Sequence, residues 1–138
     1  RNTNVDIISG SRYITGKFNT RLVPRDRYKI NRIITDRIND VTGYRLTDAF
    51  CGFKAYKIES IKKLGLKENG YGMPLELWMK ACMRRLKVKE IPVDLIYLDR
   101  RRTFGKGLDN SRKRLQYYNS IIDRLRKEVD EFRSCAQI

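Results

Sequence analysis

The sequence predicts an α/β fold in which strands alternate with flanking helices, followed by a long C-terminal helix. Three observations carry that expectation. Short β-rich runs alternate with segments of helical period along the 138 residues. The isoleucines between residues 26 and 41 recur at helical spacing, and from about residue 108 an apolar stripe runs opposite a face rich in Lys and Arg. There is no repeat, low-complexity tract or Pro/Gly/Ser linker, so the length fits one domain.

In order, residues 5–9 form a β-rich run that ends at Gly10, a strand handing over to a loop. Residues 26–41 place Ile30, Ile33, Ile34, Ile38 and Val41 on one helical side, with Asp26 as N-cap and Thr42-Gly43-Tyr44 as the stop. Residues 50–56 read as a buried strand, and 59–64 as a brief helix stopped by Gly65. Pro74 suits the first turn of a helix over 74–86, because its missing N–H would be unpaired there anyway. Residues 88–98 alternate as a strand, with Pro92 marking an edge or a bulge. After the Gly105-Lys106-Gly107 loop, Leu115, Tyr118, Ile121, Ile122, Leu125, Val129 and Phe132 define the final helix over 108–132.

Charge and composition exclude several classes. Lys and Arg number 31 against 16 Asp and Glu, a formal charge of +15, so the natural partners are anions: nucleotide diphosphates, lipid phosphates, anionic membrane or nucleic acid. No apolar run approaches the roughly 18 residues of a bilayer span, and no secretory core is present. Cys51, Cys82 and Cys135 form no CxxC pair, which reads as reduced cytosolic thiols without structural zinc. Histidine is absent, so acid–base chemistry falls to carboxylates.

Several residues are placed for chemistry. In Ser9-Gly10-Ser11-Arg12-Tyr13, Arg12 follows a strand end behind small residues that admit a ligand to the backbone, as a phosphate clamp or simply a surface arginine. Arg32 and Thr35 lie one turn apart, where a guanidinium and a hydroxyl can grip one phosphate. Asp48, ahead of Phe50-Cys51-Gly52-Phe53-Lys54, can meet a sugar hydroxyl, act as a base or hold a turn. Glu76 sits in a helix's first turn, favoured there by the dipole whatever its role. Arg100-Arg101-Arg102-Thr103-Phe104-Gly105-Lys106-Gly107 is the densest positive patch, and Glu90-Ile91-Pro92-Val93 reads as structural, its glutamate paired with backbone or arginine.

Taken in order, these segments resemble the second half of an inverting family-2 glycosyltransferase of the dolichyl-phosphate mannosyltransferase-like kind, over nearly the whole chain to about residue 112. The resemblance implies the C-terminal, acceptor-side portion of a GT-A fold, a mixed sheet with flanking helices, with residues 1–107 in the catalytic domain and 108–138 as its amphipathic basic helix. It implies acceptor-phosphate contacts from Arg12, Arg32, Thr35 and Lys106, catalytic roles for Asp48 and Arg102, and ordering of the cleft by Glu76 and Gly52. The related enzymes carry an arginine four residues before the helix hydroxyl, where this chain has Asn31, and a serine where it has Gly107. Their Mg²⁺ or Mn²⁺ is held by an Asp-x-Asp that is absent here, so the chain alone is expected to bind no metal and to be inactive without an N-terminal half.

The implied function is transfer of a sugar, with inversion, from a nucleotide-sugar donor to a polyprenyl phosphate, in a cytoplasmic enzyme that contacts the membrane peripherally. A polyprenyl phosphate is already an anionic nucleophile, so positioning arginines outweigh a base. A sugar-hydroxyl acceptor would instead need Asp48 as base. A basic nucleic-acid-binding or membrane-surface module is the alternative of another class, but no zinc finger, RRM aromatic signature or KH-type GXXG supports nucleic acid. Arg12, Asp48, Glu76 and Arg102 are expected to converge on one cleft.

Overall fold

The computed structural model describes residues 4–15, 23–96 and 103–136. Three strands and four helices follow in the order β1 (Ile7–Ser11), α1 (Arg25–Thr42), β2 (Lys54–Tyr56), α2 (Ile58–Lys62), α3 (Met73–Met83), β3 (Val88–Pro92) and α4 (Ser111–Ala136). The sheet is mixed, in the order β2-β1-β3. β1 pairs antiparallel with β2, Ile7 opposite Tyr56, and parallel with β3, Ile7 opposite Val88 and Ser11 opposite Pro92. Pairing on both edges leaves β1 buried at four of its five positions. β3 lies at an edge, which accommodates the missing N–H of Pro92, and the next residue resumes the ladder when Val93 N–H donates to the Ser11 carbonyl at 3.0 Å.

The core is helical. In α3, Leu75, Leu77, Trp78, Met79 and Ala81 are all buried, so this helix is apolar around most of its circumference and packs between α1 and α4. Ile30, Ile34, Ile38 and Val41 of α1 meet it from one side, and Tyr118, Ile121, Ile122, Leu125 and Val129 of α4 from the other; Ile7 of β1 joins the same cluster. α4 is therefore built into the core of the fold. α1 ends as expected at Gly43, whose φ of 76° lets its N–H reach the Asn39 carbonyl at 2.8 Å.

Four expectations change. α1 begins at Arg25 after Pro24, with no side-chain cap, and Asp26 lies in its first turn, paired with Arg114. Residues 50–56 are not a buried strand: only Lys54–Tyr56 is extended, and Ala55 and Tyr56 are exposed. The chain enters the sheet late because the preceding turn is fixed by side chains: the N–H groups of Leu46, Thr47, Asp48, Ala49 and Phe50 donate to Asn39, Glu90, Glu90, Thr35 and Asp48 respectively. β3 spans residues 88–92, with 93–96 irregular and the rest of the expected strand outside the described residues. α4 starts at Ser111, where the Asn110 side chain caps it by accepting the Lys113 N–H at 3.0 Å. Its outer face is not uniformly basic, since exposed Asp123, Glu128, Asp130 and Glu131 interleave with the cations, and Arg126 pairs with Asp130 at 3.7 Å.

Candidate functional site

The turn at residues 46–50 is fastened from three directions, and its centre is Asp48, which is fully buried. The Asp48 carboxylate accepts five hydrogen bonds: Arg12 Nε at 2.6 Å, Arg12 Nη2 at 2.7 Å, the Arg12 N–H at 3.2 Å, Asn31 Nδ2 at 2.8 Å and the Phe50 N–H at 3.3 Å. Burial alone would raise its pKa, but the Arg12 guanidinium and the Asn31 amide outweigh it and hold the carboxyl below the ordinary value. Burial likewise opposes the charge on Arg12, and the Asp48 carboxylate more than restores it. The result is a bidentate pair whose arginine is one-quarter exposed while its carboxylate is sealed.

Around this pair the network is continuous. Thr35 donates to the Asn31 Oδ1 at 3.1 Å and accepts the Ala49 N–H at 3.1 Å. Glu90 of β3 accepts the N–H groups of Thr47 and Asp48 and the Thr47 hydroxyl, which lies 2.5 Å from that of Ser11. No side-chain nitrogen or oxygen buried among the described residues lacks a partner. Such a network makes the position of Arg12 a property of the fold rather than of a flexible side chain.

Arg12 and Asn31 open onto a cavity of about 670 Å³ whose wall also includes Ile30, Phe50, Tyr71, Leu95, Ile96 and Tyr118. At one end lies Phe104, its ring 4.4 Å from the Arg114 guanidinium, 4.9 Å from that of Arg27 and 5.0 Å from the Tyr71 ring. Arg114 is itself buried, and it ties α1 to the loop before α4 by donating to Asp26 at 2.6 Å and to the Leu108 carbonyl at 2.8 Å. Burial pushes the Tyr118 phenol up to about 12, which leaves it protonated at neutral pH. The cavity thus sets the guanidinium groups of Arg12, Arg27 and Arg114 against one carboxylate, Asp94, in a largely aromatic and aliphatic wall, a cationic excess suited to a ligand with an anionic end and an apolar body.

The sequence-predicted residues divide accordingly. Arg12 and Asp48 come together, with Thr35 one hydrogen bond behind them through Asn31. Arg32 does not join Thr35: it is exposed and reaches only the Tyr28 hydroxyl at 3.5 Å, because Thr35 turns toward the core and takes Asn31, four residues earlier, as its partner. Glu76, buried, accepts the Lys67 and Glu68 N–H groups at 2.8 and 2.7 Å and pairs with Lys80. It therefore orders the loop leading to Gly70 and Tyr71, which line the cavity, without lining it itself. Gly52 is exposed and an added Cβ there would meet nothing within 4 Å, whereas at Gly10 an added Cβ would meet Val93 and Cys51 at 3.0 and 3.1 Å, so that glycine serves packing and not ligand approach. Lys106 is exposed on a turn with φ of 51° between two left-handed glycines, outside the cavity wall. Arg102 lies outside the described residues, as do Arg100 and Arg101.

Asn31, Arg27, Arg114 and Phe104 were not singled out. Asn31 carried a signal in its i−4 spacing from Thr35; the other three become neighbours only when α1, α4 and the intervening loop pack together. Among the described residues no three His, Cys, Asp or Glu side chains gather as a metal centre needs, and no helix is long and apolar enough to cross a membrane. Comparison with protein-family models, curated proteins and solved structures finds no significant match.

Proposed function

We propose that this chain forms the acceptor-side part of an inverting glycosyltransferase and seats a polyprenyl phosphate in the cavity beside Arg12. The observation that carries the reading is the pre-organised Arg12, held in two directions by a sealed carboxylate and opening onto a wall of Ile30, Phe50, Tyr71, Leu95, Ile96 and Tyr118. In the reaction a phosphate oxygen attacks the anomeric carbon from the face opposite the leaving nucleotide diphosphate, and the C–O bond to that diphosphate breaks. The nucleophile needs no deprotonation, so the work of this chain is to orient the phosphate and stabilise its charge. Nucleotide binding and any Mg²⁺ or Mn²⁺ belong, in this proposal, to residues other than those described here.

A hydroxyl acceptor fits less well. It would need a base, and Asp48 already accepts five hydrogen bonds with its pKa held down. The test is calorimetric titration with farnesyl phosphate and with farnesol. The phosphate is expected to bind at least tenfold more tightly, about 1.4 kcal/mol, and Arg12→Lys to erase most of that difference. Equal affinity for the alcohol, or an Arg12→Lys protein that still prefers the phosphate, would overturn the proposal.

A further inference from the structure

A contiguous band of cations and tyrosines leads out of the cavity onto the protein surface. The Arg12 guanidinium lies 5.3 Å from the Tyr13 ring centroid, Tyr13 packs edge-on against Tyr28 at 5.2 Å, and the Tyr28 hydroxyl accepts from Arg32 at 3.5 Å. On α1, Lys29 and Arg25 continue the band beyond Arg32, all three exposed and spaced at three and four residues so that they share one face. Two apolar side chains stand out of the surface nearby: Ile14, next to Tyr13, is 39% exposed, and Ile96, on the cavity wall, is 72% exposed.

We infer that this band docks the cavity mouth on an anionic lipid surface, with Ile14 and Ile96 entering the headgroup layer and Lys29 and Arg32 meeting lipid phosphates. The inference goes beyond the reading of the cavity and rests on it only for the benefit of placing the mouth at the lipid. Cations beside tyrosines and isolated isoleucines match the chemistry of the bilayer interface, where amphipathic rings sit at headgroup level and basic residues meet anionic lipid. A nucleic acid would want free ring faces for stacking, whereas Tyr13 carries the Arg12 guanidinium over its ring and meets Tyr28 edge-on, and the exposed isoleucines would have no partner. α4, the expected membrane-contacting element, is the poorer candidate, because Arg124 and Arg126 are engaged by Glu128 and Asp130 on its own surface.

The test is sedimentation of the chain with vesicles of phosphatidylcholine alone or mixed with phosphatidylglycerol. Binding is expected only with the anionic lipid. Each neutralised band cation should cost roughly fivefold in affinity, so Lys29→Ala with Arg32→Ala should cost about 25-fold. Ile14→Ser should weaken binding further, while Arg126→Ala with Lys127→Ala on α4 should leave it within about twofold. Equal losses from the α1 and α4 pairs would mean diffuse charge and overturn the inference, as would equal binding to neutral vesicles or tighter binding of a single-stranded oligonucleotide through the same residues. Farnesyl phosphate titration separates the two readings: the Lys29/Arg32 double variant should bind it normally, and Arg12→Lys should lose it while still sedimenting with vesicles.

Discussion

At position 48 burial and charge oppose each other, and the outcome governs how the protein responds to acid. The Asp48 and Glu76 carboxyls both have folded-state pKa values below their ordinary ones, Asp48 chiefly through Arg12 against the cost of burial, Glu76 chiefly through the Glu68 N–H and Lys80 against the same cost. A depressed folded pKa adds stability that is present above the unfolded value and lost as pH falls through the folded one. Stability is therefore expected to be flat from about pH 7 to about pH 5 and to fall below about pH 4, where unfolded carboxyls begin to bind protons that the native ones refuse. Urea titrations of Asp48→Asn should show a shallower acid slope than the parent; an unchanged slope would place the proton linkage elsewhere. Asp48→Ala should cost about 3 kcal/mol in the same titrations, because it strips a half-buried guanidinium and the Asn31 amide of their acceptor. Asp48 and Arg12 can be picked out in the sequence, from a strand end and a short motif, but their pairing cannot, since a separation of 36 residues is closed only by tertiary structure.

At the scale of elements the close approach of α3 and α4 rests on Gly72. An added Cβ there would lie 2.5 Å from Ile121 Cδ1 and 3.1 Å from the Tyr117 hydroxyl, although the backbone conformation itself, φ of −82°, suits any residue. Gly72→Ala should thus destabilise by overpacking, about 1 to 3 kcal/mol, and Ile121→Val, which removes the obstructing methyl, should recover part of the loss in the double variant. Thermal unfolding of the four proteins measures this, and strict additivity would refute the packing account. Helices were the readable elements, because Ile30, Ile34 and Ile38 or Ile121, Ile122 and Leu125 announce a buried face by spacing alone. The expected strand over 50–56 shortens to 54–56 for a reason periodicity cannot carry: Asn39, Thr35 and Glu90 reach in from other elements and fix the turn just before it, and Asp48 takes the Phe50 N–H.

For the whole molecule the excess of 15 positive charges is a standing repulsion that the fold must overcome. Raising ionic strength from about 10 mM to about 150 mM shortens the screening length from about 30 Å to about 8 Å and is expected to raise Tm by a few degrees. A Tm indifferent to chloride would mean that this repulsion takes nothing measurable from the stability of the fold. The alternation of strands with flanking helices was legible from pattern, whereas the directions and order of the strands were not, because both depend on which edges meet. That order has a consequence for how the chain acquires its shape. β1 precedes both of its partners in the chain yet lies between them in the sheet formed by the described residues, so its two edges stay open until residues 54–56 and then 88–92 arrive. Closing such distant pairings is entropically slow. On a ribosome β1 would emerge before both of its partners and wait longest for β3, and a nascent chain halted before β3 would carry an uncovered strand edge, the feature most prone to capture by another copy of itself.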